Sequence, residues 1–162
     1  MQREEVEHIP DWSRELPNKF WEPDKQLLKA IREYQKLNLN ASFLNVILKK
    51  MVLLKYRFWS IVTGAEIPLN CQLGGGLCIP HGNGIVIHPF ATIGINCLIF
   101  HQVTIGTTHK SNGLAPQIGN HVDIGAGAKI LGNISIGDNV KIGANVVITK
   151  SVESNQSITR SN

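Results

Sequence analysis

The feature that most limits what this chain can fold into is an aliphatic residue that returns every sixth position between residues 66 and 152. The register runs Ile67, Leu73, Ile79, then Ile87, Ile93, Ile99, Ile105, then Ile118, Ile124, Ile130, Ile136, Ile142 and Ile148. Glycine follows many of these positions, and four residues after most of them stands a second apolar side chain, from Cys71 and Leu77 to Val146 and Val152. An amphipathic helix needs an apolar period of about 3.6 and a half-buried strand a period of about 2. A period of six satisfies neither. Arrays of this kind fold as a parallel β-helix, in which short strands stack and each coil buries its aliphatic residues against the next. The expected fold is mainly β. Hexapeptide-repeat coils occupy residues 64–152, a helical arm occupies 1–63, and a polar tail occupies 153–162.

The register breaks twice. Ile79 to Ile87 is a step of eight, which inserts two residues around the sequence PHGNG at 80–84. Ile105 to Ile118 is a step of thirteen and leaves the polar stretch TTHKSNG at 107–113 outside the coil. Extra residues in a solenoid must leave as corners or loops, and loops on a rigid scaffold are where sites are usually built.

The arm contains two helical patterns. Pro23 and Asp24 open one, with Asp24 as N-cap and Leu27, Leu28, Ile31 and Tyr34 on one face; residues 38–40 break it. A second is expected from 41 to 63, ending at Gly64. Lys49, Lys50, Lys55 and Arg57 near its middle argue against a membrane span. A core-facing amphipathic helix is the preferred reading, and docking on a membrane surface is the alternative. The net charge of +4 comes mainly from this arm, where eight Lys and Arg face Asp24 and Glu33 between residues 24 and 63. A solvated basic face accounts for it. No nucleic-acid-binding motif accompanies the charge. Residues 1–23 read as an irregular arm with about one turn of helix, packed by Trp12, Phe20 and Trp21. The first twenty residues are acidic and polar, without a signal-peptide pattern, which points to the cytoplasm. Cys71, Cys78 and Cys97 lack metal-binding spacing; Cys71 and Cys97 fall on inward positions as small buried hydrophobes.

The chain has no GxSxG, P-loop or HExxH motif. Of its histidines, His81, His88, His101 and His109 lie within or beside the two breaks. A hydroxyl attacking an activated acyl group needs a general base that titrates near neutral pH, and histidine is the usual one. A carboxylate on the other ring nitrogen sets the tautomer and stabilises the imidazolium. Glu66 and His81 form the best such pair, because their spacing of fifteen is close to the eighteen-residue circuit of three hexads. His101, one coil on, is a candidate second imidazole in the cleft. His88 and His109 read as surface residues.

The segments GAEIPLNCQLGGGLCIPHGNGIVIHPFATIG, IFHQVTIGT and IGNHVDIGAGAKILGNISIGDNVKIGANVVI resemble the bacterial serine acetyltransferases of the hexapeptide-repeat superfamily, over roughly residues 60–150. That resemblance implies a left-handed β-helix, a homotrimer and acetyl-CoA as acetyl donor, with no metal. It implies His81 as catalytic base and Glu66 in the place of the family's dyad aspartate. It also implies that Gly106, Thr108, Ala126, Lys141 and Ala144 line the acetyl-CoA groove; Lys110 or Lys141 would meet phosphates. Two departures bear on the acceptor. The Arg-His pair with which the family holds its amino acid is Leu114-Ala115 here, and the aspartate before the catalytic histidine is Pro80. The pattern IFHQVTIG around His101 is shared with sugar and polysaccharide O-acetyltransferases of the superfamily.

The expected function is serine O-acetylation from acetyl-CoA, with L-serine as the small-molecule acceptor. The alternatives are acetylation of a sugar hydroxyl and a non-catalytic scaffold partnered through the basic arm. A zinc enzyme of carbonic anhydrase type would need His81, His101 and either His88 or His121 to converge, in sequence surroundings that do not resemble that group.

Overall fold

The computed structural model describes residues 9–38 and 43–159. Two helices, α1 (Pro23–Asn38) and α2 (Phe43–Thr63), precede twelve short strands: β1 (Gln72–Leu73), β2 (Val86–Ile87), β3 (Thr92–Ile93), β4 (Leu98–Ile99), β5 (Thr104–Gly106), β6 (Gln117–Ile118), β7 (Asp123–Ile124), β8 (Lys129–Leu131), β9 (Ser135–Ile136), β10 (Lys141–Ile142), β11 (Val147–Ile148) and β12 (Ser157–Ile158). The strands form three parallel sheets, each a face of a prism. The first face is β1-β3-β6-β9, the second β4-β7-β10-β12 and the third β2-β5-β8-β11. This is the left-handed β-helix with an N-terminal helical extension.

The hexad register is the core. Ile130 pairs with Ile148 and Ile124 with Ile142, one circuit of eighteen residues apart, so isoleucine stacks on isoleucine up each face. Every register residue from Ile67 to Ile148 is buried, and the companions Leu77, Ala91, Cys97, Val103, Val122, Ala128 and Val140 close the interior between them. Burying each such aliphatic side chain contributes about 1.5–3 kcal/mol. Corners require tight backbone: Asn96, Asn139 and Asn145 take left-handed φ of 57–58°, and Gly76 and Gly127 do so at equivalent corners.

The coil runs further than the hexad count suggests. Val152 bridges Ile136 and Ile158 pairs with Ile142, so residues 152–158 form another partial coil rather than a free tail. The last corner is two residues short: Ile148 is followed by an inward Val152 only four positions on, which conceals the continuation from a strict six-residue count.

The arm also differs from its sequence reading. Trp12–Arg14 form a single 3-10 turn, but Trp12, Phe20 and Trp21 stay largely exposed. Phe20 and Trp21 meet Trp59 edge-on, and polar pairing joins the arm to the coils. The Arg32 guanidinium donates to Glu15 Oε1 and Oε2 at 2.8 and 3.0 Å and to the carbonyls of Leu73 and Gly74 at 2.6 and 2.7 Å. Glu15 Oε1 in turn accepts the Leu77 N–H at 2.9 Å. Asn96 accepts the Asp11 N–H and donates to the Ile9 carbonyl. Tyr56 of α2 donates to the Ile67 carbonyl at 3.0 Å. The helices and arm thus meet backbone groups of the first coils, which would otherwise be an open sheet end. The expected helix break is described only as far as Asn38; residues 39–42 lie outside the described residues. Asp24 is inside the first turn of α1 rather than its N-cap, because the helix begins at Pro23, whose missing N–H costs nothing there.

Glu15→Ala should destabilise the fold by about 3–5 kcal/mol, since it strands the Arg32 charge and the Leu77 N–H. Breaking the exposed Lys55–Glu33 pair (3.5 Å) by Lys55→Gln should cost at most about 1 kcal/mol. Urea unfolding of the two variants checks the contrast.

Candidate active site

The two-residue insertion at 80–84 widens the edge between the second and third faces. Above it on the same edge stand the corners of successive coils. Gln102 N–H donates to the Asn83 carbonyl at 2.8 Å, Gly127 N–H to His101 at 2.9 Å, and Asn145 N–H to Ala126 at 2.8 Å. One edge therefore carries His81, His101, Ala126 and Ala144 in ascending order. The side chains of His81 and Ala144 are exposed, and those of His101 and Ala126 are half-buried.

The two imidazoles meet edge to face, ring centroids 6.3 Å apart and planes at 70°. His101 Nδ1 is buried and has no hydrogen-bond partner. A buried polar atom without a partner is uncommon in a finished site and suits a group awaiting a ligand or a neighbouring chain. His88 and His121 stand on the other two edges. His88 Nδ1 accepts the Phe90 N–H at 3.2 Å, and His121 forms a left-handed corner next to Ile95. These histidines do not converge on one point within the chain. His109 is exposed in the 3-10 turn His109–Ser111 of the protruding loop.

Glu66 and His81 make no hydrogen bond with one another. Glu66 bridges Val86 at the start of the third face, with its side chain exposed. Its charge acts on Tyr56, whose phenol is raised by burial, opposed by Arg57 and reinforced by Glu66. Asp24 is a carboxylate that feels the charge of His81. Its Oδ1 accepts the Gly82 N–H at 2.7 Å, so the first turn of α1 is pinned to the inserted corner. A side chain at Gly82 would collide with that carboxylate. Burial raises the Asp24 carboxyl above its ordinary range, although the Gly82 N–H and the charge of His81 both oppose the shift. Sequence reading placed Asp24 at a helix start and missed its role here. The signal available was the glycine after His81, which leaves room for a close neighbour.

The predicted acetyl-CoA positions separate into groups. Ala126 and Ala144 lie on the histidine edge. Gly106 ends β5 at the far side of the third face, Thr108 and Lys110 follow it in the protruding loop, and Lys141 opens β10 on the second face. The small side chains at 126 and 144 leave backbone exposed for an extended ligand. Cys71 and Cys97 do not offer a nucleophile: burial pushes their thiols up to about 11, and each donates to a carbonyl. At neutral pH both are thiols rather than thiolates.

Three stacked parallel faces and a hexad register define a hexapeptide-repeat β-helix, here with a histidine-bearing corner. Residues 115–150 match the bacterial transferase hexapeptide (six repeats) family. The serine acetyltransferase of Synechococcus elongatus is 49% identical over 78 residues, covering 48% of this chain and 32% of that protein. That of Helicobacter pylori is 47% identical over 77 residues, covering 47% and 45%. Among solved structures, Entamoeba histolytica serine acetyltransferase isoform 3 in complex with cysteine superposes with a TM-score of 0.71 at 36% identity, over 86% of this chain and 48% of that one. The Neisseria gonorrhoeae serine acetyltransferase in complex with serine gives 0.71 at 33% identity, over 87% and 56%. By fold and by sequence, this chain is similar to serine acetyltransferases of the hexapeptide-repeat type. It spans less than half the length of the two curated relatives compared here.

The Asp24 carboxyl binds its proton more tightly in the folded state than in the unfolded chain, where 3.8 is the ordinary value. Its contribution to stability is full below that value and is lost as pH rises through the higher folded value. Asp24→Asn keeps an acceptor for Gly82 N–H and is neutral at every pH. Thermal melts should show the variant more stable than the unsubstituted chain at pH 7, with the difference vanishing below pH 3.8.

Proposed function

We propose that the protein transfers acetyl from acetyl-CoA to the hydroxyl of L-serine, with His81 as general base. The observation that carries this reading is the inserted corner. It lifts His81 onto the edge that also carries His101, Ala126 and Ala144, in a chain whose coils are those of serine acetyltransferases. His81 takes the proton of the acceptor hydroxyl as its oxygen attacks the thioester carbonyl carbon. Backbone amides exposed along the edge stabilise the tetrahedral oxyanion. The carbon–sulfur bond then breaks, and the imidazolium returns its proton to the departing coenzyme A sulfur. No acyl-enzyme is formed, in keeping with buried, protonated cysteines. Asp24 stands where it stabilises the imidazolium formed at His81, and Glu66 contributes negative charge at the base of the same face.

Gly106, Thr108, Lys110 and Lys141 lie away from the histidine edge of their own chain. We infer that the acetyl-CoA groove is completed by a neighbouring coil in a homotrimer, so that these residues meet Ala126 and Ala144 of the adjacent subunit. The lysines then face the phosphates. The three free thiols suit a reducing compartment.

Two observations favour a sugar hydroxyl as the second reading. The protruding loop presents Leu114 to solvent and buries Ala115, so this part of the loop offers no charged side chain to an amino-acid carboxylate. The second is the IFHQVTIG pattern around His101, which resembles that of sugar O-acetyltransferases.

Incubation with acetyl-CoA and L-serine, with O-acetylserine quantified by mass, tests the proposal. His81→Ala should lower turnover by about 10² to 10⁴. An unchanged rate in this variant removes His81 from the mechanism. Coenzyme A binding without acetylserine turns the assignment to sugar acceptors, for which His101→Ala should then abolish product.

A further inference from the structure

The outward face of α2 is apolar where a helix on a soluble body is normally polar. Val52, Trp59 and Thr63 turn inward and are buried. On the opposite side Ile47, Met51, Leu54, Phe58 and Ile61 recur in steps of four and three and are 50, 56, 73, 51 and 81% exposed. A helical projection places Lys50 and Arg57 along one border of this stripe and Lys55 along the other. The stripe continues onto the arm. Phe20 and Trp21 pack edge-on against Trp59 at 6.1 and 5.8 Å yet remain 77 and 64% exposed. An open groove of about 680 Å³ runs beside them, with Phe20, Leu54, Phe58 and Trp59 on one side and Gln26, Lys29, Glu33 and Lys55 at its polar border. A contiguous patch of this kind marks an interaction surface.

We propose that this face docks on an anionic lipid surface, with α2 lying in the plane of the interface. Charge decides between the occupants. Steps of four and three also suit pairing with a second helix, but residues 43–63 contain no Asp or Glu. Two copies of this seam would set Lys50, Arg57 and Lys55 against one another. Among the described residues, the acidic group beside the stripe is Glu33 of α1, already 3.5 Å from Lys55 Nζ. An apolar stripe bordered by cations, with a tryptophan and phenylalanines beside it, has the composition of an interfacial helix. Among the described residues no helix is long and apolar enough to cross a membrane, so the contact is with the surface. This sequence-derived alternative to a solvated basic face is favoured by where the stripe points.

Co-sedimentation of the full chain with vesicles of phosphatidylcholine alone, and of phosphatidylcholine mixed with phosphatidylglycerol, provides the test. The protein should pellet with the mixed vesicles and stay in solution with the neutral ones. Lys50→Gln and Arg57→Gln should each weaken binding about fivefold, and added salt should weaken it further. Leu54→Gln with Ile61→Gln should abolish it. Because the lysine and arginine substitutions lie on an exposed border, they read the proposal even if the apolar double variant folds poorly. Equal binding to both vesicles, or none to either, overturns it. So does light scattering that shows an assembly dissolved by Leu54→Gln/Ile61→Gln, which would assign the face to a second copy of the chain.

Discussion

Backbone hydrogen bonding from one coil to the next is the constraint on which the rest of the molecule depends. Among the described residues no strand exceeds three residues, so none is stable except as part of a stack. The stack requires every circuit to return to the same register. Once Ile130 stands on Ile148 and Ile105 on Ile130, a residue added within a face would turn an aliphatic column outward. Additions are therefore confined to corners. The insertion at 80–84 and the loop at 107–116 obey this, and the shortened corner after Ile148 does so in the opposite direction.

The same constraint explains why the proposed chemistry falls on an edge. The faces are short and in register, and their inward side chains are sealed in the core. The corners expose backbone amides and repeat at every coil, so His81, His101, Ala126 and Ala144 line up although they are far apart in sequence. A histidine in such a row is held by rigid neighbours above and below it, which is what a general base requires for orientation. The edge is also where α1 makes contact, through Asp24 and Gly82.

A solenoid has two ends, and the arm serves the first. Arg32 is the centre of that contact: it neutralises Glu15, satisfies two coil carbonyls and stacks on Trp12 at 5.4 Å. Sequence reading expected aromatic packing there because Trp and Phe are common in the arm. Polar pairing prevailed because the coil end presents backbone donors and acceptors that apolar groups cannot satisfy. The arm's aromatics do pack, Phe20 and Trp21 on Trp59 and Trp12 under Arg32, but they stay largely exposed, as does one whole face of α2.

The coils, their inward residues, the two breaks and the candidacy of His81 and His101 were all legible from a single period, because each residue in a repeat array contacts positions at fixed sequence distance. Asp24, fifty-seven residues before His81, was not legible. Its partner depends on how a helix docks, and no local pattern encodes that. The outward stripe of α2 was likewise present in the sequence as apolar residues, but periodicity alone could not say which of two apolar sides faced the core. The sequence by itself determined the repeat, the core and the corner that bears the histidine, since these follow from local spacing and backbone pairing. Only the tertiary structure decided that Asp24 is pinned to the corner bearing that histidine and which face of α2 meets the surroundings, because both depend on the docking of the helical arm onto the first coil.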